Sequence, residues 1–423
     1  MALDTKAIGL LILGLIIGAA IGYGATAFTG GGGATTPSGG TETAGPQEQQ
    51  TVTYKIGFTL PLSGQLSSIG KLWEKVAYMA VDDLNKMMAS YHLPYRFEAV
   101  VLDDGTTEEK ALQNVQTFAQ QGIKVVIGPA ASSQVKAVKS FADSNHIVII
   151  SPSSTAPTLA IPNDYIFRNT GSDALQAKAL AALVNHEGIK KVVVFYRDDE
   201  YGTAFADFFK KEFEALGGQA ILLSYASNLA DFASEVASLS SKVQSEGAEA
   251  VVLISFDTDG ANILSHAKDD PVLSKVRWFS GEGIHGASEL LQPSLAEWLD
   301  SINFLGTRPV FISNPLYEEF KKKFENLTGT DPPVFSEKLY DAVFLAGWAI
   351  VRAGTYDGEA IKNALPEVAK HYYGASGWCI LDKNGDRAFQ DYSIWTIKQV
   401  GGEYKYVDIG TYSGGTLTFT ESP

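Results

Sequence analysis

The chain of 423 residues carries one cysteine, Cys379, so no disulfide can close within it and no multi-thiolate metal site can form. Basic residues are in deficit. Lys plus Arg number 33 against 48 Asp plus Glu, and the formal charge of -15 repels phosphate backbones and anionic membrane surfaces; nucleic acid is excluded as a partner. The six histidines are scattered and form no HExxH pair, so zinc chemistry lacks its ligands. No GxSxG elbow is present to expose a nucleophile, and no short internal repeat points to a solenoid.

Ala7 to Phe28 is a 22-residue segment without a charge. As a helix rising about 1.5 Å per residue it would reach about 33 Å, enough to cross a bilayer. Residues 1–28 therefore read as a retained membrane anchor; a signal segment, or pilin-like processing near Lys6-Ala7, are the alternatives. Residues 29–51 are Gly, Thr, Pro, Ser, Glu and Gln with almost no large apolar side chain, so they read as a flexible stalk. Together these place the remaining body outside the cytoplasm, tethered to the cell surface.

From Tyr54 onward, short β-branched or aromatic runs alternate with longer amphipathic ones. The strand-like runs are 55–60, 97–102, 124–128, 147–151, 191–196, 220–225, 250–255 and 277–280. That βαβα alternation predicts an α/β fold with open parallel sheets. Near Tyr165 to Gly171 the pattern pauses and restarts, which predicts two Rossmann-like lobes. Thr106 and Glu109, three apart before an apolar-periodic run, predict a capping box.

Several motifs fail on inspection. Gly281-Glu282-Gly283-Ile284-His285-Gly286 matches GxGxxG, but Glu282 would face a pyrophosphate and Pro293 interrupts the helix that should follow. Gly64 to Leu72 has one residue too many for a phosphate loop, and Leu72 stands where a hydroxyl should coordinate magnesium. Asp382 to Asp386 resembles the start of a calcium loop with its Gly two positions early, and reads as a tight turn. No cofactor or metal is expected.

In parallel sheets ligands bind beyond the carboxyl ends of the strands. The strand at 124–128 runs into Pro129-Ala130-Ala131-Ser132-Ser133, and the next into Ser151-Pro152-Ser153-Ser154-Thr155. Hydroxyls and free helix N-termini thus reach one edge and suit an anion. Glu282 follows a strand of the second lobe. Donors opposite a carboxylate suit a zwitterion, that is, an α-carboxylate with an α-ammonium.

At this point the chain resembles the branched-chain (Leu/Ile/Val) amino-acid type of ABC-transporter solute-binding protein, with the type I periplasmic-binding fold. The resemblance spans Tyr54 to Tyr412 and rests on ordered segments, among them KIGFTLPLSGQLSSIG, DDGTTEEKALQNVQTFAQQGIKVVIGPAASS, ISPSSTAP, IFRNTGSD, DDEYG and FSGEGI. It implies two lobes closing over an amino acid. Ser132, Ser153 through its backbone, and Thr155 would hold the carboxylate; Glu282 would meet the ammonium and Tyr201 would supply an aromatic wall. Ile69 stands where an aromatic is common, and Phe256 lacks an expected hydroxyl, so the pocket becomes more apolar and suits a branched-chain or other apolar ligand. The resemblance further implies three hinge crossings, near Thr170, Thr307 and Arg387, with residues 52–170 and 308–387 in lobe 1 and 171–307 and 388–423 in lobe 2. It implies a permease with cytoplasmic ATPases as partner and no enzymatic chemistry. An extracellular hydrolase using a distant triad, or a sensory ectodomain, are the readings from other classes.

Overall fold

The computed structural model describes residues 50–311 and 313–420. The expected membrane-spanning segment at 1–28 and most of the stalk lie outside the described residues. Among the described residues no helix is long and apolar enough to cross a membrane.

The chain opens with β1 (Val52–Leu60), α1 (Ser67–Ser90), β2 (Tyr95–Asp103), α2 (Glu108–Gln120), β3 (Val125–Ile127), α3 (Ser132–Asn145), β4 (Val148–Ser151) and β5 (Ile166–Arg168). Its five strands pair in parallel in the order β2-β1-β3-β4-β5. Residues Ile56 to Leu60 of β1 are buried without alternation, as expected of a strand covered by helices on both faces. One of those helices is α1, whose Trp73, Val76, Ala77, Ala80, Leu84 and Met88 recur at helical spacing and are all buried.

The second sheet starts after α4 (Asp173–His186). It comprises β6 (Lys191–Arg197), α5 (Glu200–Ala215), β7 (Gln219–Tyr225), α6 (Ala233–Glu246), β8 (Ala250–Ile254), α7 (Asp257–Asp269), β9 (Arg277–Ser280), α8 (Pro293–Ser301) and β10 (Leu305–Pro309). The chain then forms α9 (Pro315–Thr328), α10 (Ser336–Ala353) and α11 (Gly358–His371), with a small hairpin of β11 (Tyr373–Gly374) and β12 (Gly377–Trp378). It ends in β13 (Tyr392–Val400), β14 (Glu403–Ser413) and β15 (Thr416–Phe419), which join the second sheet antiparallel in the order β15-β14-β13-β10-β9-β8-β6-β7.

Three details differ from the sequence reading. The pause at 165–171 contains β5, a three-residue strand too short to show a period. Thr106 does not cap α2. It adopts φ 58° in a turn, and the extended Thr107 is the N-cap, its hydroxyl accepting from the Lys110 amide at 3.4 Å. Thr307 lies inside β10, paired with Ile394, so the chain leaves the second sheet beyond Pro309.

The rejected motifs have structural explanations. Asp382 Oδ1 accepts from the amides of Asn384 at 2.8 Å and Asp386 at 3.1 Å, an Asx-type turn, and among the described residues no His/Cys/Asp/Glu cluster is placed to hold a metal. Gly283 permits close backbone approach: a Cβ there would stand 2.3 Å from the Ser255 carbonyl. A single 3-10 turn over Glu282–Ile284 follows β9, in place of the long helix that a pyrophosphate needs.

Candidate ligand site

The carboxyl end of β3 is shaped by Gly128. Its φ of +92° is a left-handed conformation, and a Cβ there would collide with the Thr59 carbonyl at 2.2 Å. The chain then turns into α3 with Ser132 at its first position. The β4 loop is held against it by its own hydroxyls: Ser151 Oγ donates to the Pro129 carbonyl at 2.7 Å and accepts from the Ser154 amide at 3.0 Å. Arg168 fixes the far side, donating to the Ala156 carbonyl at 2.7 Å and to Asp386 Oδ1 at 2.6 Å, with all of it buried. Most of the hydroxyls in this stretch therefore build the loop.

Ser132 Oγ accepts from the Thr155 amide at 3.3 Å and the Ala156 amide at 3.2 Å. Both lone pairs are thereby filled, so the 3.0 Å contact with Ser154 Oγ takes the Ser132 proton. That proton meets a neutral oxygen, and a carboxylate in its place would accept more strongly. The Ser153 hydroxyl is spent on the Ala130 carbonyl at 2.9 Å, while its amide makes only a 3.5 Å contact with Ser151 Oγ. The amide is the free donor.

One cavity, about 500 Å³ including its open mouth, lies between the two sheets. Ile69, Ser132 and Ser153 line it from the first lobe, with Leu66, Val334 and Phe335; Tyr201, Phe256 and Glu282 line it from the second, with Asp257 and His285. Six of the seven residues expected from the sequence thus meet in one place. Thr155 is the exception. It does not line the cavity, because its hydroxyl donates to Asp173 Oδ2 at 2.8 Å.

Glu282 is 3% exposed, and its Oε2 has no hydrogen-bond partner. Burial pushes its pKa up to about 7, against the favouring effects of its own amide, of Tyr201 and Gln176, and of Lys338. The Tyr201 hydroxyl is buried without a partner and lies close enough to the carboxyl to favour its ionised form. Tyr201 stacks on Phe256 with centroids 5.4 Å apart, and Arg197 lies 3.6 Å from the Phe256 ring centre on its way to Asp199 and Asp259.

Asp173 was missed by sequence reasoning. It sits in the first turn of α4 behind the Ser172 cap, where an acid is ordinary, and so carried no signal. In the fold it is fully buried, its Oδ1 has no partner, and burial followed by the charge of Glu282 raises its pKa well above the carboxylate range. Glu282 lines the cavity, while Asp173 is not among the lining residues and feels the charge of Glu282 from within the protein interior. A cationic group bonded to Glu282 would relieve the repulsion that its charge exerts on Asp173.

The lobes are bridged across the cavity mouth. Gln65 Oε1 accepts from Arg197 Nη2 at 2.8 Å and the Gln65 carbonyl accepts from Thr258 Oγ1 at 3.1 Å, while the Ser68 hydroxyl donates to Asp257 Oδ2. On the opposite flank Lys136 pairs with Glu200 at 2.6 Å. These contacts tie segments of the first sheet's side to segments of the second's.

Comparison with known proteins agrees with this geometry. The family described as "Receptor family ligand binding region" matches residues 72–399. Among curated proteins, the chain is 27% identical over 403 residues to an uncharacterized protein of Methanocaldococcus jannaschii, covering 88% of this chain and 95% of that one. It is 25% identical over 350 residues to the leucine-, isoleucine-, valine-, threonine-, and alanine-binding protein of Pseudomonas aeruginosa, covering 81% and 89%. Among solved structures, the leucine binding protein LivK from Thermotoga maritima superposes with a TM-score of 0.70 at 24% identity, covering 84% of this chain and 97% of that one. LivJ from Streptococcus pneumoniae, in complex with isoleucine, gives 0.70 at 23% identity, covering 84% and 100%. At those identities the structures establish the type I periplasmic-binding fold and no more.

Proposed function

This chain belongs to the receptor family of ligand binding regions, and we propose that it is the solute-binding receptor of an ABC importer, capturing an amino acid between its two lobes outside the cytoplasm. The observation that carries this reading is the meeting, in one cavity, of the Ser132 hydroxyl and Ser153 amide with buried Glu282, whose Oε2 has no partner. Such an arrangement fits the two ends of a zwitterion. The Pseudomonas relative named for binding leucine, isoleucine and valine supports the same ligand class and favours a receptor over a hydrolase.

Capture needs higher affinity for the closed state than the open one. A clamp divided between lobes supplies it, since the carboxylate donors stand on the first lobe and Glu282 on the second. A micromolar dissociation constant corresponds to about -8 kcal/mol. Charge-assisted hydrogen bonds of about 1.5–3 kcal/mol each, with about 0.8 kcal/mol per buried methylene against Leu66, Ile69 and Phe335, reach that figure. Delivery goes to a permease with cytoplasmic ATPases, and residues 1–28 hold the receptor at the membrane.

The test is a calorimetric screen of the amino acids with the parent and Glu282→Gln. Micromolar binding of at least one amino acid by the parent, lost in the variant, is expected. Undiminished affinity in Glu282→Gln would refute the ammonium assignment.

A further inference from the structure

The zwitterion clamp leaves one acid of the cavity unused. Asp257, the first residue of α7, lines the same space as Glu282 and is 6% exposed. Its Oδ2 receives the Ser68 hydroxyl from the opposite lobe, while Oδ1 is buried with no partner. No described Lys or Arg forms an ion pair with it. Arg197, the cation of this wall, is spent on Asp199 at 2.5 Å and Asp259 at 3.1 Å.

An acid at a helix start is ordinary on a surface, where water completes its bonds. Here the cleft closes over it. If the enclosed ligand presented methyl groups at this point, closure would strip water from a carboxylate oxygen and return nothing. If it presented an N-H or O-H group, the same closure would form a charge-assisted hydrogen bond in a dry site. The two cases differ most in the closed state, which is the state that binding selects.

We propose that Asp257 Oδ1 determines specificity at the side-chain end of the cleft, and that the ligand is an amino acid whose side chain has an apolar stem and a hydrogen-bond donor. The stem lies against Leu66, Ile69 and Phe335. His285 stands on the same wall with Nδ1 buried and unpartnered, and burial, then the charge of Arg308, holds it in the neutral form. It offers a second place for that donor. This inference rests on the amino-acid reading above and narrows it from apolar side chains to amphipathic ones.

The test uses the full chain and matched ligand pairs in calorimetry: threonine with valine, glutamine with methionine, and lysine with norleucine. The pairs separate hydroxyl, carboxamide and ammonium donors. At least one donor-bearing member is expected to bind about tenfold or more tightly than its apolar partner. In Asp257→Ala that ratio should collapse, while in Ser68→Ala, which leaves Oδ1 in place, it should persist; melting temperatures verify that both variants fold. Equal or tighter binding of the apolar member in all three pairs, or a ratio that Asp257→Ala leaves intact, overturns the inference and leaves the receptor reading standing. Binding of no amino acid overturns both.

Discussion

Thr155 Oγ1 donates to Asp173 Oδ2 at 2.8 Å, so the hydroxyl expected to grip a carboxylate is turned toward an acid at the start of α4. The consequence is a shift of emphasis from one acid to two. Asp173 and Glu282 each carry an oxygen without a partner, both are buried, and the charge of Glu282 raises the proton affinity of Asp173. Asp173→Asn and Glu282→Gln should each weaken amino-acid binding by about 10- to 100-fold, the range of one or two charge-assisted hydrogen bonds. Neither should much lower the melting temperature of the unliganded protein, because the cost of burying each carboxyl outweighs the favourable charges of Lys338 near Glu282 and of Arg168 near Asp173. Calorimetry with thermal melts decides. A variant that loses stability and keeps affinity would assign its acid to the scaffold.

If Glu282 meets the ammonium, the Thr155 side chain would act on that end indirectly, through Asp173, whose carboxyl feels the charge of Glu282. Thr155→Ala should therefore weaken an amino acid and its decarboxylated amine by a similar factor, a few-fold to tenfold for one lost hydrogen bond, and leave the deaminated acid unchanged. A direct carboxylate contact gives the reverse pattern: the deaminated acid weakens and the amine does not. Competition of the three compounds against one fluorescent or calorimetric reference ligand distinguishes the two.

How much of this was readable beforehand depended on whether a residue announced itself through its neighbours. Glu282, Ser132 and Ser153 stand just past strand ends in a βαβ pattern, and that position alone marked them. Asp173 and Asp257 each open a helix, and an acid in a first turn has a complete local explanation in the helix dipole. Only their burial, set by distant segments, separates them from solvated caps. Thr155 fails for a related reason: its direction depends on α4, which begins after the crossing from the first sheet. The parallel cores were legible because buried strands read as unbroken apolar runs. The three-residue β5 was not, since three residues fit either period.

Binding should depend on pH near neutrality. Burial raises the Glu282 pKa to about 7 from its ordinary 4.5, and an ammonium ligand needs the ionised form. Affinity should fall as pH drops below about 7, by up to about tenfold per unit for one proton taken up. In the unliganded protein the sign is opposite. A carboxyl with a raised pKa contributes stability that is complete below about 4.5 and is lost as pH rises through about 7. The ligand-induced rise in melting temperature should accordingly grow from pH 5 to pH 8. A rise that stays constant over that interval would show that no cleft carboxyl changes charge on binding.

Lys338 supplies a test of whether a buried cation between two segments linking the sheets tunes Glu282. Its Nζ donates to Thr170 Oγ1 at 3.1 Å and to Gln390 Oε1, so one side chain joins the segment leaving β5 to the segment entering β13. It is 1% exposed, and burial, then the charge of Arg387, lowers its pKa to about 7. Its positive charge favours ionised Glu282. Lys338→Met should therefore raise the Glu282 pKa and move the midpoint of the binding profile above 7. For stability, a lysine with a depressed pKa contributes fully above about 10.5 and loses that contribution as pH falls through about 7. Removing it should make the variant gain relative to the parent at pH 7 compared with pH 10, whatever constant cost the two lost hydrogen bonds impose. Lys338→Gln, neutral but still a donor, should show the same pH shifts with a smaller constant cost. If both variants keep the parental midpoint, Lys338 serves only as a hinge tie and Glu282 is set by burial alone.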